Sequence, residues 1–229
     1  MPKHIGIVAC SAEGAALCYR TICTEAPAVM GHHAHPEVTM HTHCLSEYME
    51  CVYRDDWQSV AELMLSSACK LAKAGAEFLI CPDNTIHRAF GLVGPRSPLP
   101  WLHIVEEVAA EAQRRGLRKL AVIGTKYTME GPVYPEKLSA CGIAYLMPDA
   151  EERACIDDII MDELVNGIFA AASRQYMQQV IGRLSKEGCD AVVLGCTEIP
   201  LLIDDRVSPL PTLDSTRILA RAAIKEALQ

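Results

Sequence analysis

Val193-Leu194-Gly195-Cys196-Thr197-Glu198-Ile199-Pro200 decides the reading of this 229-residue chain. With Ala191 and Val192 before it, the apolar run reads as a buried strand about to end. Gly195 permits a tight turn, and Cys196 falls where the strand stops and a helix should begin. Thr197 suits an N-cap or first-turn position, and Glu198 and Pro200 suit an early helical turn. A thiol placed there would meet unpaired backbone N–H groups and the positive end of a helix dipole, both of which favour thiolate. On that placement Cys196 is expected to be the most reactive thiol of the chain. Strand ends of open α/β sheets are also where ligands bind. The competing reading is a small, buried, apolar cysteine.

A second stretch answers the first. Ala76-Glu77-Phe78-Leu79-Ile80-Cys81-Pro82-Asp83-Asn84-Thr85-Ile86-His87 is again an apolar strand that breaks into a polar turn. Each strand follows an amphipathic helix that ends in glycine, at Lys73-Ala74-Gly75 and at Lys186-Glu187-Gly188. One such unit in each half of the chain points to a duplicated α/β design.

The length allows one large α/β domain or two lobes of about 100–115 residues. Half of the residues are hydrophobic and 22% are charged, which supports a sizeable core and argues against disorder. A formal net charge of -8 argues against a nucleic-acid partner. The eleven cysteines are odd in number, and none forms a CxxC pair, so they read as reduced thiols of a cytoplasmic protein. The chain enters its first strand without a signal peptide, and no apolar run approaches the ~20 residues of a membrane helix. Neither a membrane nor a nucleic-acid partner is expected.

Strands alternate with helices along the whole chain, which predicts parallel sheets covered on both faces. Ile5 to Cys10 is a strand ending in Ser11-Ala12-Glu13-Gly14, whose small residues could admit a carboxylate near backbone N–H groups. Neither a GxGxxG nor a P-loop pattern is present. Pro27 to Pro36 reads as a loop and Val38 to Cys44 as a strand, together carrying His32, His33, His35, His41 and His43. No carboxylate stands at a recognised ligand spacing, so no metal is expected. Asp56 to Ala74 is a long amphipathic helix, Gly91 to Pro100 a linker or mobile loop, and a helix follows Ile104. In the second half, strands are expected at 120–124, 143–146, 190–194 and 209–211. Helices are expected over 135–140, 150–184 with a break near Gly167, and 214–228.

Several motifs together resemble the aspartate/glutamate racemase family, the cofactor-independent group that includes hydantoin racemases. Gly195-Cys196-Thr197-Glu198 is similar to its second catalytic-cysteine motif, and Asn84-Thr85-Ile86-His87 to the tail of its first. Gly124-Thr125-Lys126-Tyr127-Thr128-Met129 with Tyr134 resembles its third strand-end turn, and Asp158 through Gly167 its long-helix signature. The resemblance implies two flavodoxin-like, doubly wound lobes with pseudo-twofold symmetry and an interlobe active-site cleft. We place the lobes at 1–98 with 213–229 and at 99–212. It further implies a PLP-independent amino-acid racemase or epimerase, without cofactor, acting on a small amino acid or 2-substituted carboxylic acid as a homodimer. Two groups on opposite faces of the α-carbon would remove and return its proton. Cys196 matches one of them. Asp83 stands where the family's first cysteine would be and becomes the candidate for the other. Ser11, Asn84, Thr85, Thr125, Thr128, Thr197 and Glu198 become the candidate substrate-binding residues. Asn166 occupies a position where the family commonly has a lysine. A single-cysteine decarboxylase, lyase or isomerase of the same superfamily, and a catalytically decayed small-acid-binding protein, remain the alternatives.

Overall fold

The computed structural model describes residues 1–229. The chain forms two compact units, Met1–Glu107 with Thr216–Gln229, and Val108–Ser215. In the first, β1 (Ile5–Ala9) leads into α1 (Ala12–Glu25) and the single turn α2 (Pro27–Met30). Then come β2 (Val38–Thr42), α3 (Leu45–Tyr53), α4 (Trp57–Lys73) and β3 (Phe78–Ile80). A 3-10 turn at Thr85–Ala89, α5 (Phe90–Val93) and β4 (Trp101–Leu102) precede α6 (Ile104–Arg114). The second unit runs through β5 (Lys119–Ile123), α7 (Lys126–Glu130), α8 (Val133–Ala140), β6 (Ala144–Leu146) and α9 (Ala150–Asp158). It continues with α10 (Ala171–Lys186), β7 (Ala191–Leu194), α11 (Ile199–Leu202) and β8 (Thr212–Asp214). The closing helix α12 (Ser215–Ala227) returns the chain to the first unit.

Each unit holds a four-stranded parallel sheet, ordered β2-β1-β3-β4 in one and β6-β5-β7-β8 in the other. The order is the same when the strands of each unit are counted from its start. Every residue of β1, β3 and β7 is buried, which requires helices on both faces; the edge strands β2 and β6 are partly exposed. The fold is therefore α/β, with two doubly wound sheets. In such an order the chain leaves the central pair in opposite directions, so the topological switch points lie between β1 and β3 and between β5 and β7.

Local chemistry explains the element ends. Asp56 caps α4 by accepting the Ser59 amide, and Asp149 with Glu152 forms a capping box on α9. Gly75 and Gly188 take φ of +96° and +89° just past α4 and α10, a conformation a Cβ would strain. Several expectations are corrected. The last strand lies at Thr212–Asp214 instead of 209–211, because prolines cannot donate to a ladder; the Pro211 carbonyl still accepts from Val192 N–H. Part of the expected 91–100 linker is helical, as α5 and a 3-10 turn at Gly94–Arg96. The break near Gly167 is a π-helical turn, Ile159–Glu163, followed by a 3-10 turn that Gly167 ends at φ +74°. No helix is long and apolar enough to cross a membrane.

Candidate active site

The candidate residues fall into two groups, each at the switch point of its own sheet. In the first unit Ser11 follows β1, and Asp83, Asn84 and Thr85 follow β3, the strand paired beside it. In the second, Thr125 and Thr128 follow β5, and Cys196, Thr197 and Glu198 follow β7. The duplicated topology thus puts Asp83 and Cys196 in corresponding turns of their units, three residues past β3 and two past β7.

Around Asp83 the backbone is held tightly. Its Oδ1 accepts the Ile86 amide at 3.1 Å, and its carbonyl accepts from His87 Nδ1 at 2.6 Å. The Ile104 amide donates to His87 Nε2 at 3.4 Å, so the hydrogen bonds on both ring nitrogens specify the Nδ1–H tautomer. His103, 4.6 Å from the His87 ring, accepts the Val105 amide at Nδ1. Asp83 and Thr85 are partly exposed, whereas Asn84 and His87 are buried. Ser11 caps α1 by accepting the Gly14 amide at 3.2 Å.

Cys81, two residues before Asp83, is fully buried. Burial first, and the neighbouring Asp83 charge second, push its thiol well up, so it stays neutral. Tyr48 comes from α3, a helix the sequence did not announce, and is also fully buried. Its phenol is pushed up by burial, then by Cys81, Cys10 and Asp83; Ser67 is a neighbour, but no hydrogen bond of ordinary geometry reaches the phenol oxygen.

In the second unit β5 and β7 end in glycines that lie almost in contact. A Cβ on Gly124 would come within 2.9 Å of the Gly195 carbonyl, and one on Gly195 within 3.0 Å of the Ile123 carbonyl. This close approach brings the two turns together, with Thr128 Cγ2 against both glycines. Thr125 caps α7 through the Thr128 amide at 3.3 Å, and the two threonine hydroxyls are also 3.3 Å apart. Asp157, buried on α9, accepts the Lys126 amide at 2.9 Å and sits 3.6 Å from Lys126 Nζ, which ties the turn to that helix. Nothing in the sequence sets Asp157 apart from Asp158 beside it. Tyr134 is buried against Ser215, whose hydroxyl in turn donates to the Leu194 carbonyl at 2.9 Å.

The setting of Cys196 differs from the expected one. The helix after it begins only at Ile199 and lasts four residues, with Glu198 at its N-cap, so little helix dipole reaches the thiol. Cys196 Sγ instead donates to Glu198 Oε2 at 2.9 Å, and Thr197 Oγ1 donates to the same oxygen at 2.7 Å. Cys196 is half-buried, while Thr197 and Glu198 are buried. The most reactive thiol is expected elsewhere: Cys44 is exposed, and hydrogen bonds from Ser46 pull its thiol down.

The histidine-rich segment is spent locally. His41 lies 2.9 Å from Ser67 and 3.0 Å from Lys70, and His43 lies 3.2 Å from Ser66. No group of three or more His, Cys, Asp or Glu side chains is arranged to hold a metal ion.

The model of the Asp/Glu/hydantoin racemase family matches residues 5–223. The broad specificity amino-acid racemase RacX of Bacillus subtilis is 26% identical over 176 residues, covering 76% of this chain and 74% of the relative. A crystal structure of an Asp/Glu racemase candidate from Yersinia pestis matches with a TM-score of 0.91 and 32% identity, over 99% of this chain and 100% of that one. An aspartate racemase homologue from Pyrococcus horikoshii matches with a TM-score of 0.87 and 28% identity, over the whole of both chains.

Proposed function

This chain belongs to the Asp/Glu/hydantoin racemase family, a family of isomerases, and from that premise we propose that it is a cofactor-independent amino-acid racemase or epimerase. Cys196 and Asp83 are the two acid/base groups in this reading. One accepts the α-proton and leaves the electron pair on the α-carbon, delocalised into the substrate carboxylate. The other delivers a proton to the opposite face, which inverts the centre. Ser11, Thr85, Thr125 and Thr128, with the backbone N–H groups of their turns, bind the carboxylate and stabilise the charge it gains. The observation that carries the proposal is the placement of Asp83 and Cys196 at equivalent switch points of a repeated fold.

The RacX relationship supports an amino acid as substrate. Asn166 spends its amide on the carbonyls of Met161 and Asp162, at 3.4 and 3.1 Å, which supports a substrate whose side chain carries no acid. The test is incubation with a panel of amino acids in D2O, read by proton NMR. Loss of the α-proton signal with inversion is the expected result, and no exchange from any amino acid would overturn the reading. A second reading has one observation in its favour, the use of Asp83 Oδ1 to cap its own turn. Cys196 alone would then protonate one face of an enediolate, as in a decarboxylase. Exchange without inversion, or CO2 release from a 2-substituted malonate, would favour it.

A further inference from the structure

Glu198 is a buried carboxylate, 4% exposed, that forms no ion pair. Its hydrogen bonds come from the Cys196 thiol and the Thr197 hydroxyl, both at Oε2. It stands at the N-cap of α11 yet caps nothing, since the side chain turns from the helix amides to the thiol. We propose that Glu198 holds Cys196 in its protonated form and thereby divides the labour of the site, with Cys196 as the resting acid and Asp83 as the resting base. The inference rests on the racemase reading for its consequence in turnover, but not for the state of the thiol.

The electrostatics are simple. A thiolate at Cys196 would put a second anion 2.9 Å from the buried Glu198 carboxylate, whereas the thiol satisfies that carboxylate with an S–H···O bond. The pair therefore keeps its proton until the substrate carbanion takes it. At that step the S–H bond breaks, a C–H bond forms, and the thiolate is left beside Glu198 until it regains a proton from solvent. The α-proton has meanwhile formed an O–H bond at Asp83. Other ionisable groups at this end of the sheet include Asp214 at the end of β8, the Tyr134 phenol, and Lys126, which is paired with Asp157 and lies over the Tyr127 ring.

The test separates the state of the thiol from turnover. Alkylation of Cys196 by iodoacetamide is followed against pH by peptide mass mapping, in the wild-type chain and in Glu198→Gln. Removing the charge but keeping the shape should raise the rate at pH 7.5 by about tenfold and move the profile about one unit to lower pH. Glu198→Asp, which withdraws the carboxylate by one methylene, should shift it the same way by less, and serves if the glutamine variant does not fold. An unchanged or slower rate in the folded variant overturns the proposal. In D2O, the wild type should exchange the α-proton of one alanine enantiomer faster than the other, and Glu198→Gln should narrow that ratio. Equal wild-type rates would remove the division of labour. Absence of exchange from every amino acid would sink the racemase reading and the division of labour with it, while the alkylation result would still decide how the thiol is held.

Discussion

Asp83 is the residue on which the chemistry can be tested most directly. An amide oxygen can still accept the Ile86 N–H, so Asp83→Asn should keep the turn while removing the proposed acid/base group. Deuterium exchange should then fall by about 10²-fold or more, the usual worth of a general base. Asp83→Cys should restore exchange, because a thiol lies closer in proton affinity to Cys196 than a carboxyl does; unperturbed, a thiol and an aspartate carboxyl differ by roughly five pKa units. Full activity in Asp83→Asn would make Asp83 a structural cap. Thiol mapping provides a second check: iodoacetamide should label Cys44 ahead of Cys196 and leave Cys81 unlabelled until the chain is unfolded. At this scale the sequence disclosed the positions better than the contacts. That Asp83 and Cys196 stand in turns after strands could be read because each interrupts an apolar run. The Cys196–Glu198 bond could not, since a full helix starting at Cys196 would have carried Glu198 elsewhere. Tyr48 and Asp157 reach the strand-end turns from distant helices, and no local pattern marks them.

Elements show where local pattern suffices and where it does not. The buried strands were legible because parallel strands covered on both faces are continuous apolar runs, and the ends of α4 and α10 because glycine follows each. The short helices α2 and α3 were missed. α2 is a single turn, and α3 opens at Cys44 without a side-chain cap, behind a run of histidines and threonines that reads as strand. Two glycines near the end of α10 separate backbone conformation from helix propensity. Gly188 has φ of +89° with open space where a Cβ would go, so Gly188→Ala should cost about 1–2 kcal/mol through the left-handed backbone alone. Gly182 lies within the helix with Pro209 Cγ at an ordinary 4.0 Å from a Cβ, so Gly182→Ala should stabilise by about 0.5–1 kcal/mol. Thermal unfolding should show Tm moving in opposite directions, by about 2–4 °C per kcal/mol for a chain of this size. A fall in Tm for both variants would mean that Pro209 crowds position 182.

At the scale of the whole molecule, one helix belongs to both units: the boundary between Glu107 and Val108 falls inside α6. Two carboxylates on α6 respond to pH in opposite ways. Arg114 first, then Arg115, hold the Glu111 carboxyl down at about 2, and Arg115 Nη1 also donates to the Thr212 carbonyl of β8 at 3.3 Å. A depressed folded value means that the unfolded chain binds protons first as pH falls. Glu111 therefore contributes stability above about pH 4.5, and this is lost progressively as the pH approaches 2. Glu107 is the reverse case. Burial first, and the neighbouring Glu106 second, push its carboxyl up, so the folded chain binds its proton first and neutral pH is where it costs stability. Glu111→Gln should thus lower the urea midpoint at pH 7 and converge with the wild type only as the pH falls towards 2. Glu107→Gln should raise the midpoint at pH 7 and make little difference once the wild-type Glu107 is protonated. Opposite signs at neutral pH and convergence in acid are the expected pattern. Parallel curves displaced by a constant amount would mean that packing, and not ionisation, sets what each glutamate contributes.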